Sequence, residues 1–333
     1  MLNRRSVHRN SVVKAAFALL ICVLALQGAA RAQDYPSRPI RIIDAYPPGG
    51  TSDVVARIIA QRLTENLRQQ VVLDNRPGGN AVIGTNLAAK APADGYTLLV
   101  FTSTLTIQPS LYKNLPYDVR KDFAPIALTY NITNVLVVNP STPAGNLKDF
   151  IALVRAKPGM MSYGSGGTGT GTHLAMELLR SMADLRITHV PYKGIAPAVA
   201  DIVGGHIDCA FATMSSVVTL IKAGKLRALA VATAQRSSAL PEVPTADEAG
   251  VAGYVSPNAG GVLAPAKTPR AIVSRLNTEI VRILETKEIR ERFTALGAEP
   301  VGGTPEQFRA FIASEIEKWA RVVKASGMET QTW

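Results

Sequence analysis

The chain has 333 residues, 47% of them hydrophobic and 18% charged, which is enough apolar material for more than one core. The formal net charge is +11, but the basic residues are spread out and lack interleaved aromatic residues, so nucleic-acid binding is not expected. Cys209 is the single cysteine beyond residue 32, which excludes an intramolecular disulfide there.

Residues 1–32 have the three parts of a secretory signal peptide. A basic head at residues 4–14 precedes an apolar run at residues 15–26, and a small-x-small cleavage pattern ends at Ala32. The run is shorter than the ~20 residues that span a bilayer, although an N-terminal anchor is the alternative. Cleavage near Ala32 removes five of the 36 basic residues and no acidic ones, which lowers the net charge from +11 to +6. We therefore expect export to the periplasm.

Short β-branched runs then alternate with longer amphipathic segments, which indicates parallel α/β layers. In the first half, the pattern predicts strands at residues 40–46, 71–73 and 96–101, and helices at residues 54–67 and 81–90. The apolar run at residues 134–138 resembles a crossover to a second unit. In that unit, it predicts helices at residues 147–156, 172–182, 195–203 and 215–223, and strands at residues 161–163, 187–190, 207–211 and 227–231. A strand at residues 260–264 follows, and a capping box from Thr304 to Gln307 starts the last helix.

A Gly-rich turn lies between a strand and a helix once in each half. The first turn (residues 46–53) reads Tyr-Pro-Pro-Gly-Gly-Thr-Ser-Asp, and Thr51 or Ser52 is expected to cap the following helix. The second turn (residues 163–173) reads Tyr-Gly-Ser-Gly-Gly-Thr-Gly-Thr-Gly-Thr-His. Glycines let a backbone approach a bound group closely, and helix N-termini favour anions. The two turns are therefore candidate anion sites.

Residues of the second turn also fit sequence patterns of other functions. The Gly164-x-Gly166-x-x-Gly169 pattern matches a dinucleotide fingerprint, but no acidic residue ends the strand that follows, so no nucleotide cofactor is expected. A secreted hydrolase that uses Ser165 and His173 remains an alternative. The histidines are scattered without metal-ligand spacing, so no metal is expected.

Segments along essentially the whole mature chain resemble the Bug-type solute-binding proteins of tripartite tricarboxylate transporters. They include Pro47-Pro48-Gly49-Gly50-x-x-Asp53, Asn75-Arg76-Pro77-Gly78, Asp94-Gly95-Tyr96-Thr97-Leu98-Leu99, Thr188-His189-Val190-Pro191-Tyr192-Lys193-Gly194 and Leu296-Gly297-Ala298-Glu299-Pro300. The resemblance implies an α/β periplasmic-binding-protein fold (Venus-flytrap, type II-like) with two lobes, a hinge and a central cleft. Lobe 1 is expected to comprise residues 34–133 and 254–333, and lobe 2 residues 134–253.

The resemblance also implies a function and a site. A small carboxylate (a di- or tricarboxylate, an acidic amino acid or an aromatic acid) is held between the lobes and delivered to transporter membrane subunits by a monomeric protein without catalysis. A sensor domain that signals through a membrane kinase is an alternative. The expected ligand-binding residues are Tyr46, Pro48, Gly49, Gly50, Ser52, Asp53, Thr102, Ser103, Thr104, Ser165, Gly166, Gly167, Thr168, Thr172, His173 and Met214. Asp44, Gly171 and Met214 depart from the residues usual in the family and leave the ligand open.

Overall fold

The computed structural model describes residues 35–326 and 330–332, and the predicted signal peptide lies outside them. The first part of the chain forms β1 (Ile40–Asp44), α1 (Thr51–Leu67), β2 (Val71–Asn75), α2 (Val82–Ala89), β3 (Thr97–Thr102), α3 (Thr104–Leu111), β4 (Tyr112–Lys113) and β5 (Phe123–Ile132). The middle part forms β6 (Asn134–Val138), α4 (Leu147–Ala156), β7 (Ser162–Ser165), α5 (Gly171–Ala183), β8 (Thr188–Pro191), α6 (Ile195–Val203), β9 (Cys209–Thr213), α7 (Met214–Lys222) and β10 (Arg227–Val231). The last part forms β11 (Asn258–Pro265), α8 (Arg270–Glu285), α9 (Lys287–Ala295), β12 (Ala298–Gly302), α10 (Pro305–Ser326) and β13 (Gln331–Thr332).

Most of the strands form two mixed sheets. The six-stranded sheet has the order β12-β5-β11-β3-β1-β2, and the five-stranded sheet has the order β10-β6-β9-β7-β8. In the first sheet β1 is parallel to β2 and β3, and in the second β7 is parallel to β8 and β9. The other pairs of these two sheets are antiparallel, so the prediction of parallel layers is correct for three strands of each sheet.

The parallel strands of each sheet are connected through crossover helices, as parallel connections require: α1 and α2 connect β1, β2 and β3, and α5 and α6 connect β7, β8 and β9. By contrast, β5 ends at Ile132 and β6 begins at Asn134 in the other sheet, which leaves a single residue for the passage. The predicted crossover at residues 134–138 is therefore itself a strand. The two Gly-rich turns follow β1 and β7, at the carboxyl ends of the parallel strands, where ligands bind in open α/β sheets.

Helix α10 packs on the cores of both sheets. It begins with the predicted capping box, in which Thr304 N donates to Gln307 Oε1 (2.8 Å) and Gln307 N donates to Thr304 Oγ1 (3.2 Å). Phe308 then packs edge-on against Phe101 of β3, with ring centroids 5.1 Å apart. Further along, the fully buried Trp319 belongs to the apolar cluster under the five-stranded sheet. The predicted capping box is confirmed, and the apolar face of the helix contributes to both cores.

In the part of the chain that the structure describes, no helix is long and apolar enough to cross a membrane. The Cys209 thiol is buried in β9, and burial raises its pKa well above the ordinary value. Its side chain therefore acts as a small apolar core group.

Candidate ligand-binding site

The first turn ends in an open helix start. Gly50 is the N-cap of α1, with φ −75° and ψ 168°, and no side chain among the described residues caps the helix. The expectation that Thr51 or Ser52 caps it is therefore wrong. The first N–H groups of a helix have no acceptor within the helix and carry partial positive charge, so this start is available to an anion.

Asp53 stabilises the first turn through hydrogen bonds and an ion pair. Its carboxylate accepts hydrogen bonds from Gly49 N (3.0 Å) and Asn75 Nδ2 (3.0 Å). It also pairs with the Arg57 guanidinium, at 2.8 Å from Nη2. Burial favours the neutral carboxyl, but these hydrogen bonds outweigh it and hold the pKa of Asp53 below its ordinary value. An ionised Asp53 thus holds the turn and its hydrogen-bond donors in place, so its role in the site is structural.

Asp44 is a second buried carboxylate at this turn, and the sequence marked it as an unusual residue without assigning it a role. It is fully buried at the end of β1. Oδ1 accepts a hydrogen bond from Tyr46 N (3.2 Å), and Oδ2 accepts one from Ser52 Oγ (3.1 Å). Burial raises the pKa of Asp44 to about 6, against the opposing effect of these hydrogen bonds. The Ser52 hydroxyl, which is expected to face a ligand, therefore donates a hydrogen bond to a neighbouring acid.

The second turn also ends in an open helix start. Thr170 is the N-cap of α5, and no side-chain cap is found among the described residues. The loop is held by its own polar groups, since Thr172 Oγ1 accepts a hydrogen bond from Gly166 N (2.9 Å) and Thr170 Oγ1 donates to Gly167 O (2.7 Å). Gly167 and Gly169 have φ of +121° and +79°, values that side chains rarely tolerate.

Two neighbouring histidine rings, those of His173 and His189, form hydrogen bonds with the second turn. Ser165 Oγ lies 2.7 Å from His189 Nε2 and accepts a hydrogen bond from Gly167 N (3.1 Å). His173 Nδ1 accepts a hydrogen bond from Gly169 N (3.1 Å), and the two histidine rings are 4.2 Å apart. Burial lowers the pKa of His173 to about 3 and that of His189 to about 4, so both rings are neutral at physiological pH.

This arrangement bears on the hydrolase alternative. Ser165 pairs with His189 and not with His173, and its side chain is fully buried. Its hydroxyl oxygen already accepts the Gly167 N–H. A nucleophile must be accessible to the substrate, so these contacts favour a structural role for Ser165 in shaping the turn.

The two turns meet at the carboxyl end of β3. Thr102 Oγ1 lies 3.4 Å from the Tyr46 hydroxyl of the first turn. Thr104 Oγ1 donates to Gly169 O of the second turn at 3.4 Å. Burial raises the pKa of Tyr46 above its ordinary value, so the hydroxyl keeps its proton and remains a donor. The structure thus brings Tyr46 of the first turn and Gly169 of the second turn next to Thr102 and Thr104, where β3 ends and α3 begins.

Two residues that sequence reasoning missed also touch the second turn. A Cβ on Gly171 would lie 2.6 Å from Asn258 Cγ, and a Cβ on Gly169 would lie 3.2 Å from Asn80 Nδ2. Asn80 lies in the loop between β2 and α2, and Asn258 is the first residue of β11, so both belong to the half that contains the six-stranded sheet. The second turn follows β7 of the five-stranded sheet. The glycines therefore permit close contact between the two halves.

The remaining predicted residues differ in their surroundings. Ser103 ties β3 to β11, because its hydroxyl accepts a hydrogen bond from Ala259 N (2.8 Å). Met214 is buried in the apolar cluster around α6 and α7. Pro48, Gly49 and Thr168 are exposed at the tips of the two turns. These positions make Ser103 and Met214 supporting residues and leave the tips open to solvent.

Within the described residues, no group of three or more histidine, cysteine or acidic side chains is arranged to hold a metal ion. The donors at the turns are instead amides, hydroxyls and helix starts. Such donors suit an oxyanion.

A model of the tripartite tricarboxylate transporter family receptor matches residues 55–328. The chain belongs to this TctC receptor family. Protein BugT of Bordetella pertussis is 39% identical over 315 residues, which are 94% of this chain and 97% of BugT. An R. palustris protein solved with adipate is 36% identical and has a TM-score of 0.78, covering 90% of this chain and 100% of its own. MatC from Rhodopseudomonas palustris, solved with bound malate, is 29% identical with a TM-score of 0.74, covering 87% of this chain and 100% of MatC.

These similarities confirm the predicted family and the periplasmic-binding-protein fold, since solved periplasmic binding proteins of this kind match over nearly the whole chain. The family and the fold of this TctC receptor are those of substrate-binding receptors and not of enzymes. The protein therefore has a solute-binding role.

Proposed function

We propose that this receptor captures a small carboxylate in a cleft between two lobes and delivers it to the membrane subunits of a tripartite transporter. The observation that carries the proposal is the pair of uncapped helix starts, α1 and α5, whose turns meet at Thr102 and Thr104. In this proposal, residues 34–133 and 254–333 form one lobe and residues 134–253 the other. In the same proposal, the predicted signal peptide is cleaved near Ala32, and the protein acts in the periplasm as a monomer.

The strength of such a site is adequate for a receptor. Each helix start contributes about 0.3–1 kcal/mol to anion binding, and up to ~2 kcal/mol when partly buried. Hydrogen bonds to a charged group contribute about 1.5–3 kcal/mol each. Several amide and hydroxyl donors from the two turns, acting together, offset the cost of association and are compatible with the roughly −8 kcal/mol of a micromolar complex. The adipate and malate in the two solved relatives are carboxylates of the expected size.

A thermal-shift screen against mono-, di- and tricarboxylates, followed by calorimetry, tests the proposal. We expect at least one carboxylate to raise the melting temperature and to bind with micromolar or tighter affinity. A screen in which no carboxylate does so, while a neutral sugar does, contradicts the carboxylate site. Delivery is tested separately, by uptake of the same carboxylate into cells with and without this receptor.

A further inference from the structure

The Ser52 hydroxyl donates its hydrogen to Asp44. Ser52 lies on the first turn of α1, and its Oγ donates to Asp44 Oδ2 at 3.1 Å. A serine hydroxyl has one hydrogen and two lone pairs. Once the hydrogen points at Asp44, Ser52 Oγ presents lone pairs alone to any other group. The residue that is expected to donate to a ligand is therefore an acceptor.

This polarity depends on the charge of Asp44. Oδ1 of Asp44 is occupied by Tyr46 N, so Oδ2 is the oxygen that faces Ser52. The charged and titratable groups around it are Asp53 and Arg57 of α1, Tyr46 of the first turn and Tyr130 of β5. Burial, and to a smaller extent the negative charge of Asp53, favour the neutral acid, whereas the two hydrogen bonds and Arg57 favour the carboxylate. With a pKa of about 6, Asp44 is ionised at neutral and higher pH.

An ionised Asp44 reduces the attraction of the first turn for a bare carboxylate, although the amide donors at the start of α1 remain. Its negative charge lies beside the N-terminus of α1, where it offsets the partial positive charge of the helix start. A bare carboxylate placed there meets an acceptor and a nearby negative charge. A hydroxyl placed there finds a lone pair to which it donates.

We propose that Asp44, through Ser52, makes the first turn select carboxylates that carry a hydroxyl, or another hydrogen-bond donor, over their unsubstituted counterparts. The inference rests on the proposed function and specifies its ligand class. The start of α5, which is independent of Asp44, binds one carboxylate group, and the start of α1 lies beside the part of the ligand that carries the hydroxyl. Ser52 accepts the hydrogen of the ligand hydroxyl.

Matched ligand pairs test this selection by calorimetry on the mature protein at pH 8. The pairs are succinate with 2-hydroxysuccinate and glutarate with 2-hydroxyglutarate. In Asp44→Asn, the amide oxygen still accepts from Tyr46 N, so the amide nitrogen donates to Ser52 Oγ and frees the serine hydrogen for the ligand. Asp74→Asn is the matched control, because Asp74 is an ion-paired acid on the neighbouring strand β2. Ser52→Ala removes the acceptor.

We expect the wild type and Asp74→Asn to bind a hydroxy acid at least fivefold more tightly than its counterpart. Asp44→Asn should bind the unsubstituted acid more tightly than the wild type does and lose the preference, and Ser52→Ala should also lose it. Equal affinity for both members of each pair in the wild type, or a preference that survives Asp44→Asn, overturns the selection and leaves the carboxylate site standing. If no carboxylate binds, the proposed function fails and this inference fails with it.

Discussion

Gly171 and Asn258 contact each other across the two halves of the protein, with no room between them for a side chain. A Cβ added to Gly171 would lie 2.6 Å from Asn258 Cγ and 2.7 Å from its Oδ1. Asn134 Nδ2 holds the backbone from the other side by donating to Gly171 O at 3.2 Å. The absence of a side chain at position 171 therefore allows the start of α5 to lie against β11.

This contact predicts that Gly171→Ala weakens ligand binding. The added methyl group keeps the second turn away from Asn258, and we expect about a tenfold loss of affinity, or ~1.4 kcal/mol. The helix itself should tolerate alanine well, so the melting temperature of the free protein should change little. Calorimetry with the best carboxylate of the screen measures the loss.

The double variant Gly171→Ala/Asn258→Ala provides the control for this steric argument. Shortening Asn258 creates space for the new methyl group, so the double variant should recover most of the affinity relative to Asn258→Ala alone. The thermodynamic cycle isolates the pair. Full wild-type affinity in Gly171→Ala, or no recovery in the double variant, would show that the contact is not part of ligand binding.

Asp44 predicts an unusual pH dependence of stability. Its pKa is 3.8 in an unfolded chain and about 6 in the fold, so the folded protein binds more protons between these values. Stability from this group is therefore present below pH 4 and is lost as the pH rises to about 6. Each pKa unit corresponds to about 1.4 kcal/mol, which gives a cost of about 1–3 kcal/mol at neutral pH.

Removing that charge should stabilise the protein. Asp44→Asn keeps the shape and the hydrogen bond from Tyr46, so we expect it to melt at a higher temperature than the wild type at pH 8. At pH 4 the difference should vanish, because the wild-type acid is then neutral as well. Denaturant unfolding at both pH values checks this. A variant that is less stable than the wild type at pH 8 contradicts the desolvation argument.

The Ser165–His189 contact separates the receptor from the hydrolase alternative. Ser165→Ala removes an oxygen that accepts the Gly167 N–H at 3.1 Å and lies 2.7 Å from His189. The second turn should lose some of its order, and we expect carboxylate affinity to fall several-fold. His206→Ala, outside this cluster, should leave affinity unchanged and serves as the control. Ligand recovered after hours with the wild type should be chemically unchanged, and a Ser165-dependent product would establish catalysis instead.

The sequence alone predicts much of the local structure. Helices α4 and α6 and strand β10 have the predicted bounds. The two helices have clear periodicity and are followed closely by Pro158 and Gly204, which end helices. Helix α3 and strand β5 were not predicted. Pro109 lies inside the helix, and Pro125 interrupts a strand that is buried almost throughout, so neither has a regular pattern.

The site is predicted less completely, for a physical reason. The two turns are local, and their Gly-rich sequences are visible at once. Asp44 meets Ser52, Ser165 meets His189, and Gly171 meets Asn258 only after strands and helices have packed. Hydrogen-bond polarity of the kind that Asp44 imposes on Ser52 depends on this packing, so no spacing in the chain reveals it.

Helix α10 predicts that the two halves unfold together. Phe308 packs with the core of the six-stranded sheet, and Trp319 packs with that of the five-stranded sheet. Near Trp319, Lys318 Nζ donates to Val255 O at 3.1 Å, and Glu315 Oε2 accepts the indole N–H at 3.1 Å. The helix thus ties the segment between β10 and β11 to both cores.

Trp319→Ala should uncouple the unfolding of the two halves. The loss of a buried tryptophan costs about 3–5 kcal/mol, and the cost should fall on the five-stranded half, since Phe308 keeps the start of the helix in place. Where the wild type unfolds in a single calorimetric transition, we expect the variant to show two. Phe311→Ala, a half-buried residue on the same helix, should lower the melting temperature without splitting the transition. One sharp transition in Trp319→Ala would show that the halves are coupled through other contacts, such as the passage from β5 to β6.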